Sequence, residues 1–263
     1  FFAFKLNYST FNSLALSMRQ FHLNLFVFIS LISLANTNLV DSTKNISKSK
    51  LIYIENKNQW DNSILYSSQI GAGSFSLLEN GFRFNLHDAD RLEELHASTH
   101  HERFYENGDY YCEDEELINN HRFTVQFISA NDADIQTNQQ TEQYYNYFIG
   151  DDSSRWASRA YGFNNVLYES LYSHIDLVVY SEEFSPKYDF IVRPTGNVND
   201  IKLTYAGVDD IYIYNEQLYI ETSLGLIIEN RPFAYQQIDG VKHKVDVRFA
   251  LNCDTLSFDI PND

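Results

Sequence analysis

The sequence predicts an all-β fold: an antiparallel β-sandwich-like domain, or two packed sandwiches, with a few short helical turns. Tyrosine and phenylalanine are abundant, at 19 and 20 of 263 residues, and such residues favour strands that are half buried on a pleated surface. Short strand-like segments follow one another along the chain and are separated by turn residues. They do not alternate with long helical patterns, as the strands of a parallel sheet would.

Two dipeptides mark β-hairpins. Asn80-Gly81 lies between the segments SFSLLE and FRFNLH, and Asp239-Gly240 lies between FAYQQI and VKHKVDVRFAL. Both dipeptides favour the tight turns that connect antiparallel strands. In the strand after the second turn, the alternation of apolar and polar residues predicts one buried face and one solvent-exposed face. The apolar face consists of Val241, His243, Val245 and Val247.

Further strands are predicted between these hairpins. The segments DIYIY, QLYIET and GLIIEN succeed one another across short turns and predict an antiparallel meander. HIDLVVYS and KYDFIVRP predict another strand pair. His174 and Asp176 stand two residues apart at the start of this pair, so their side chains point to one face. We interpret them as a hydrogen-bonded structural pair rather than as acid–base catalysts.

The tripeptide Gly150-Asp151-Asp152 follows an aromatic strand-like run and raises the question of a metal site, because neighbouring carboxylates can hold catalytic metals. The acidic chain offers no basic channel for a nucleic-acid substrate beside it. We therefore interpret the tripeptide as a turn. Gly150 ends the strand, and Asp152 or Ser153 caps one helical turn that brings Trp156 onto the core.

The chain is predicted to consist of four segments. Residues 1–17 are expected to lie upstream of the native start, because the only methionine is Met18. Residues 18–35 predict a signal peptide, since a short polar start precedes the apolar run LFVFISLISL, which is too short to span a bilayer. Residues 36–50 form a polar leader, and residues 51–263 form the β domain. Export follows from the signal peptide, and a buried strand or helix is the alternative for the apolar run.

An acidic and histidine-rich stretch, residues 88–120, interrupts the strand pattern and is predicted to be a mobile insertion between two strands. Within it, residues 90–98 predict two helical turns with Asp90 as the cap. The insertion also holds the best candidate metal ligands, because imidazoles four residues apart share one face of a helix. These candidates are His96, His100, His101 and Glu102. A polar loop without metal is the alternative, and no cofactor is expected.

Charge and motifs limit the function. The chain has 19 basic and 36 acidic residues, so its net charge is −17, and such a surface argues against a nucleic-acid partner. No segment after the signal peptide is apolar enough to cross a membrane. The sequence contains no G-x-S-x-G elbow and no phosphate-binding glycine loop. Cys112 and Cys253 are not in a C-x-x-C pattern, and their pairing in a disulfide stays open.

Aromatic residues of YYNYFIGDDSSRWAS, together with one earlier tryptophan, are candidates for ligand binding. Flat rings stack on sugar faces, and tyrosine adds a hydroxyl group. The candidates are Trp60, Tyr145, Tyr147 and Trp156. Alternation places Tyr145 and Tyr147 on one face of a strand and Tyr144 on the other. One of these faces is expected to be core, so aromatic core packing is the alternative to a sugar platform.

Seven segments together carry a resemblance to a known family. In chain order they are IENKNQW, NGFRFNL, YYNYFIGDDSSRWAS, LYSHIDLVVYS, KYDFIVRP, IKLTYAG and RPFAYQ. The chain resembles the N-terminal domain of bacterial cell-surface proteins that carry SBBP (β-propeller-type) repeats. The resemblance implies an exported domain with no catalytic residues to carry over, followed by propeller repeats and a C-terminal sorting domain. Asn58 stands where that family usually has glycine, and asparagine tolerates the positive φ of such a turn.

The sequence therefore predicts a non-enzymatic module of a secreted or cell-surface bacterial protein. Its role is structural, adhesive or interactive, with an unknown surface or glycan partner. A carbohydrate-binding or carbohydrate-active β-sandwich is the alternative. The exposure of the aromatic candidates separates the two hypotheses, because a sugar platform needs rings that face solvent.

Overall fold

The computed structural model describes residues 24–29, 33–34, 50–98, 117–182 and 184–261. This part of the chain is almost entirely antiparallel β structure, which confirms the predicted fold class. The strands are β1 (Asn24–Ile29), β2 (Ser33–Leu34), β3 (Tyr53–Glu55), β4 (Ile64–Ile70), β5 (Gly73–Leu78), β6 (Gly81–His87), β7 (Asn120–Phe127), β8 (Asp134–Tyr147), β9 (Ala157–Tyr172), β10 (Ile175–Glu182), β11 (Ser185–Val192), β12 (Leu203–Ala206), β13 (Asp210–Tyr214), β14 (Gln217–Thr222), β15 (Gly225–Glu229), β16 (Phe233–Ile238), β17 (Val241–Val245), β18 (Arg248–Asn252) and β19 (Thr255–Asp259).

Helical structure is sparse in the described ranges. It comprises α1 (Ala89–Ser98) and the 3₁₀ turns Ser153–Arg155 and Val198–Asp200. None of these elements is long and apolar enough to span a membrane. The predicted cap of α1 is wrong by two residues: Oδ1 of Asp88, not of Asp90, accepts the N–H of Arg91 at 3.1 Å, because a cap precedes the first helical residue. The rest of the predicted insertion, residues 99–116, lies outside the described residues.

The described strands form two sheets. The larger sheet has the order β17-β16-β1-β11-β10-β9-β3-β4-β5-β6-β7-β12-β19-β18, and β8 pairs with β9 outside this path. The smaller sheet has the order β13-β14-β15-β2 and contains the predicted meander. The predicted hairpins β5–β6 and β16–β17 and the predicted pair β10–β11 are confirmed.

Strand β9 joins two halves of the larger sheet. It pairs with β10 near its end and with β3 through Gly162 and Phe163. On one side of it lie β10, β11, β1, β16 and β17, and on the other lie β3 to β7, β12, β19 and β18. Glycine is required where β9 meets the start of the domain, because a Cβ on Gly162 would lie 2.2 Å from Cγ2 of Ile52. A side chain there would displace the Ile52 side chain next to β3.

Aromatic rings fill the space between the two halves. Ring centroids across this space are 5.5 Å apart for Phe82 and Tyr188, and 6.1 Å apart for Phe127 and Tyr168. All four rings are buried. In β6, Phe82 and Phe84 face the same side because every second residue of a strand does so. The two halves therefore pack face to face, as in a sandwich.

One predicted strand is wrong in its extent and in its buried face. The segment VKHKVDVRFAL forms β17 and β18, which are separated by Asp246 and Val247 and lie at opposite ends of the strand order. Val241 and His243 are exposed, whereas Val247 is buried. The reason is that β17 is an edge strand, so only part of the alternating pattern meets a neighbouring layer.

Asp176 has a partner that the sequence did not reveal. Its Oδ2 accepts a hydrogen bond from Nε of Arg193 at 2.8 Å, and its Oδ1 accepts the N–H of Ser170 at 2.8 Å. His174 instead occupies a turn with φ of 60°, and its carbonyl oxygen accepts the N–H of Arg193 at 2.8 Å. The predicted pair of His174 and Asp176 is therefore wrong: the Asp176 carboxylate is satisfied by an arginine from the next strand.

Two described strands fall within residues 18–35, the predicted signal peptide. β1 pairs with β11 and β16, and β2 pairs with β15. In the unprocessed chain the apolar run thus supplies strands to both sheets. Removal of the segment on export stays a prediction.

A buried carboxyl group connects the two sheets. Glu229, at the end of β15, is 1% exposed. Its Oε2 accepts a hydrogen bond from Tyr188 of β11 at 3.3 Å, and its Oε1 accepts one from Tyr205 of β12 at 3.2 Å. Burial raises the pKa of Glu229 to about 7, and the two tyrosine hydroxyls oppose this rise. The group is therefore neutral or ionised according to pH within the physiological range.

This pKa makes stability depend on pH. The unfolded chain releases the Glu229 proton near the ordinary glutamate pKa, whereas the folded chain holds it to about pH 7, so stability falls as pH rises through this window. Glu229→Gln keeps a neutral polar group and should flatten the fall in urea unfolding measured from pH 5 to 7.5. The fall that remains is assigned to Asp189, whose pKa burial raises to about 8.

The matched control is Glu216→Gln. Glu216 is half exposed and pairs with Arg231 at the surface, and such pairs contribute little to stability. Its pH profile should follow that of the wild-type chain. An unchanged slope in Glu229→Gln would contradict the assignment.

Candidate functional site

Strand β8 of the β8–β9 hairpin lies at the surface along its whole length. β8 has 14 residues and none of them is fully buried. It pairs only with β9 among the described strands, and its other edge is open. The C-terminal part of β9, in contrast, enters the core, where Val166 and Tyr168 are fully buried. We call this hairpin (residues 134–172) the arm: the last part of its strand β9 lies in the core, and its turn lies at the exposed end.

Gly150, Asp151 and Asp152 form the turn at the end of the arm, as the sequence predicts. Gly150 has φ of 69°, which favours glycine. Oδ1 of Asp152 accepts the N–H of Ser154 at 3.0 Å and its hydroxyl at 2.7 Å, as the predicted cap requires. These bonds hold the pKa of Asp152 below its usual value. Nε1 of Trp156 donates to the carbonyl oxygen of Gly150 at 3.1 Å, which fixes the indole over the turn.

Large apolar side chains face solvent around this turn. Phe148 is 63% exposed and Trp156 is 45% exposed, and their ring centroids are 5.7 Å apart in an edge-to-face contact. Ile149 and Tyr144 are also exposed, and Tyr144 stands on the Phe148 side of β8. We call Tyr144, Phe148, Ile149 and Trp156 the aromatic tip. Such a cluster of exposed apolar groups is typical of a contact surface.

The opposite side of β8 is half buried. Tyr145 and Tyr147 lie on it, and the ring of Tyr147 meets that of Trp60 edge-to-face at 5.3 Å. Trp60 is held in the loop after β3, where Oδ1 of Asn56 accepts the backbone N–H of Trp60 at 3.2 Å. Asn58 in this loop has φ of 79°, so the turn expected at this position forms with asparagine.

The four predicted ligand-binding residues are thus divided between two sides of the arm. Trp60, Tyr145 and Tyr147 are half buried, whereas Trp156 faces solvent. The prediction that Trp156 packs onto the core is wrong, because its ring packs on Phe148 at the exposed end of the arm. Phe148 was missed as a site residue. The alternation placed it on one face with Tyr144, but nothing in the sequence told which face is open.

A family model described as a domain of unknown function (DUF7948) matches residues 53–263. The chain belongs to the DUF7948 family. No curated protein and no solved structure matches the chain. The DUF7948 match contains the whole arm and begins after β1 and β2.

The side chains of the predicted metal ligands are not described by the structure. His96 belongs to α1, but its side chain, like His100, His101 and Glu102, lies outside what is described. Within the described ranges, no group of three or more histidine, cysteine, aspartate or glutamate side chains is arranged to hold a metal. Cys253 is exposed, and Cys112 lies outside the described residues, so their pairing stays open.

One serine–histidine contact occurs in the DUF7948 domain. Nδ1 of His121 lies 2.9 Å from Oγ of Ser223 and also accepts the backbone N–H of Ser223 at 3.2 Å. Nδ1 is therefore an acceptor, and Nε2 carries the proton. Nε2 is buried without a hydrogen-bond partner among the described residues, so no carboxylate orients the imidazole. The contact anchors the turn between β14 and β15 rather than activating a nucleophile.

A cleft of about 270 Å³ lies at the end of the DUF7948 domain where β7 and β9 finish. It is lined by Ile128, Ser129, Asn131, Tyr172, Ser173, Asp200 and Lys202. Burial raises the pKa of Tyr172 to about 12, so its hydroxyl stays protonated, and it donates to the carbonyl oxygen of Lys202 at 3.2 Å. Asn131 likewise donates to the carbonyl oxygen of Ser170 at 3.0 Å, and Asp200 accepts from the Asn197 side chain at 3.2 Å, so these groups bond to neighbours instead of converging on a ligand position.

The two tryptophans of the chain provide a direct test of the arm. Trp60→Phe leaves Trp156, and Trp156→Phe leaves Trp60. The emission of Trp60→Phe should be red-shifted and more strongly quenched by acrylamide, because Trp156 is the more exposed ring. In denaturant the two variants should behave alike. Equal quenching in the folded state would contradict the described exposure of the tip.

Proposed function

We propose that this chain is a non-enzymatic interaction module of a secreted or cell-surface bacterial protein, and that the aromatic tip is its contact surface. The observation that carries the proposal is the exposure of Phe148 and Trp156 at the turn that ends the arm. Aromatic side chains are enriched where proteins bind partners, since they bury large areas with few rotatable bonds.

The rigid mounting of these rings supports a binding role. The Trp156 indole is held by its bond to Gly150, and the first half of β9 is tied to β3 because Oε1 of Glu55 accepts the N–H of Tyr161 at 2.9 Å. Nζ of Lys57 donates to the carbonyl oxygen of Arg159 at 3.0 Å on the same side. A pre-organised surface loses less conformational entropy on binding than a mobile one.

The export of the module and its neighbouring domains are part of the same proposal. The predicted signal peptide and the resemblance to N-terminal domains of SBBP-repeat proteins both point to export. In such an architecture propeller repeats and a sorting domain follow the module. The module then presents its arm at the bacterial exterior, and the net charge of −17 disfavours contact with nucleic acids.

Binding of the labelled chain to intact cells of the producing bacterium tests the contact surface. The double change Phe148→Ser with Trp156→Ser should weaken binding ~10-fold or more, as loss of two anchoring residues does. The matched control is Tyr214→Ser with Val241→Ser, which removes two apolar side chains of similar exposure far along the sequence from the arm. Equal binding by both double variants would overturn the role of the tip.

A carbohydrate ligand is the second candidate function, because the exposed rings of Tyr144 and Trp156 are of the type that stacks on sugars. A glycan array probed with the purified chain tests it. Binding that is lost in the Phe148/Trp156 double variant would identify a sugar partner. A blank array at high protein concentration would leave a protein partner as the proposal.

Export is tested separately. The secreted or surface-bound product should begin near Asn36, as determined by mass spectrometry of its N-terminal peptide. A product that keeps residues 18–35, or that stays in the cytoplasm, would contradict the export part of the proposal.

A further inference from the structure

Strand β1 occupies a gap between two strands of the DUF7948 domain. Residues 25–29 pair with residues 188–192 of β11, and residues 24–28 pair with residues 233–237 of β16. β11 and β16 do not pair with each other. They are thus separated by one strand, or about 10 Å. We call the space between residues 188–192 and residues 233–237 the strand slot.

The direction of the walls makes the slot difficult to close. β1 is antiparallel to β11 and also antiparallel to β16, so the two walls run in the same direction. Without β1, β16 could join β11 only as a parallel pair, with slanted hydrogen bonds of lower stability. Every described strand pair of this protein is antiparallel. Two unpaired edges are therefore left facing each other.

The strand and the walls of the slot come from different parts of the chain. Both walls lie within the DUF7948 match, residues 53–263. β1 lies before it, within the predicted signal peptide of residues 18–35. If export removes that peptide, as the proposed function requires, the domain loses the strand but keeps both walls.

We infer that the strand slot is a second binding site, which accepts an extended segment of a partner protein once the signal peptide has been removed. The mode is strand addition, in which backbone hydrogen bonds supply affinity and alternate side-chain positions supply specificity. The inference rests on the proposed function for the removal of β1. It goes beyond that function because the slot is separate from the aromatic tip.

The walls define the chemistry of the segment. Residues opposite each other in an antiparallel pair face the same side, so the residues of an inserted segment that pair with Val192, Phe190 and Tyr188 face the side of these wall residues. These three wall residues are at most 2% exposed. Position 28 stands opposite Asp189 and the half-exposed Phe233. A fitting segment therefore has apolar residues opposite these three wall residues and opposite Ile191 and the buried Tyr235. The position opposite Asp189 and Phe233 tolerates a polar residue.

Strand exchange in the folded full chain tests the slot. A protease site is placed between Leu34 and Lys50, outside the paired strands, and the chain is cut after folding. The probe is a labelled peptide of residues 24–29 flanked by lysines. The peptide should bind the cut chain with one-to-one stoichiometry and displace the cut N-terminal piece, and it should not bind the uncut chain.

Two matched peptides make the test specific. Val27→Asp places a charge against buried Phe190 and should bind ~10-fold more weakly or less. Phe28→Asn changes the other side of the same strand and should bind nearly as well as the parent peptide. Equal binding by the two variants would overturn the slot, because position 27 of the bound segment should face the buried Phe190 and position 28 should face the half-exposed Phe233.

Hydrogen exchange distinguishes closure from opening. In the cut chain freed of its N-terminal piece, backbone amides of residues 188–192 and 233–237 should exchange faster and become protected when the peptide binds. Protection without any peptide would show that β16 closes on β11 and would overturn the slot. A second copy of the chain in the slot would appear as a dimer after release of the piece, and would overturn the assignment to a different protein.

The two proposals fail in different ways. A secreted product that keeps residues 18–35 contradicts export and with it the occupation of the slot by a partner. A cut chain that ignores the peptide contradicts the slot alone and leaves the aromatic tip and the export prediction untouched.

Discussion

The arrangement of the whole fold depends on β9, a strand that belongs to both halves of the larger sheet and to the arm. Its end pairs with β10 and its middle pairs with β3, while β8 lies along it. Gly162 makes this sharing sterically acceptable. Because the same strand passes from the buried core to the exposed turn, the position of the aromatic tip is coupled to the packing of the sandwich.

Local features were predictable from the sequence because they depend on few residues. Asp239-Gly240 forms its predicted turn because both residues adopt a positive φ, which aspartate and glycine tolerate, and Asp152 caps its turn by accepting a nearby backbone N–H. The β5–β6 turn lies one residue earlier than predicted, at Glu79 and Asn80, and Gly81 begins β6. Pairings between distant strands were not predictable. β17 and β18 lie at opposite ends of the strand order. Their positions depend on which distant strands they pack against, and no local sequence pattern specifies those partners.

The candidate site was only half predictable for a related reason. Alternation assigns Tyr144 and Tyr147 to opposite faces, but burial is decided by the loop that brings Trp60 against one of them. The carboxyl groups show the same limit. The sequence drew attention to Asp151 and Asp152, which are exposed, whereas the carboxyl that connects the two sheets is the buried Glu229, at the end of an ordinary strand pattern.

The continuity of β9 has a mechanical consequence. A pull on the aromatic tip along the strand direction is transmitted through β9 into its ladder with β10, and the hydrogen bonds of that ladder are loaded in shear, many at once. A pull on the edge strand β17 would instead peel its bonds from β16 one after another. The domain is therefore expected to resist force best along the direction in which the arm would be pulled by a bound surface.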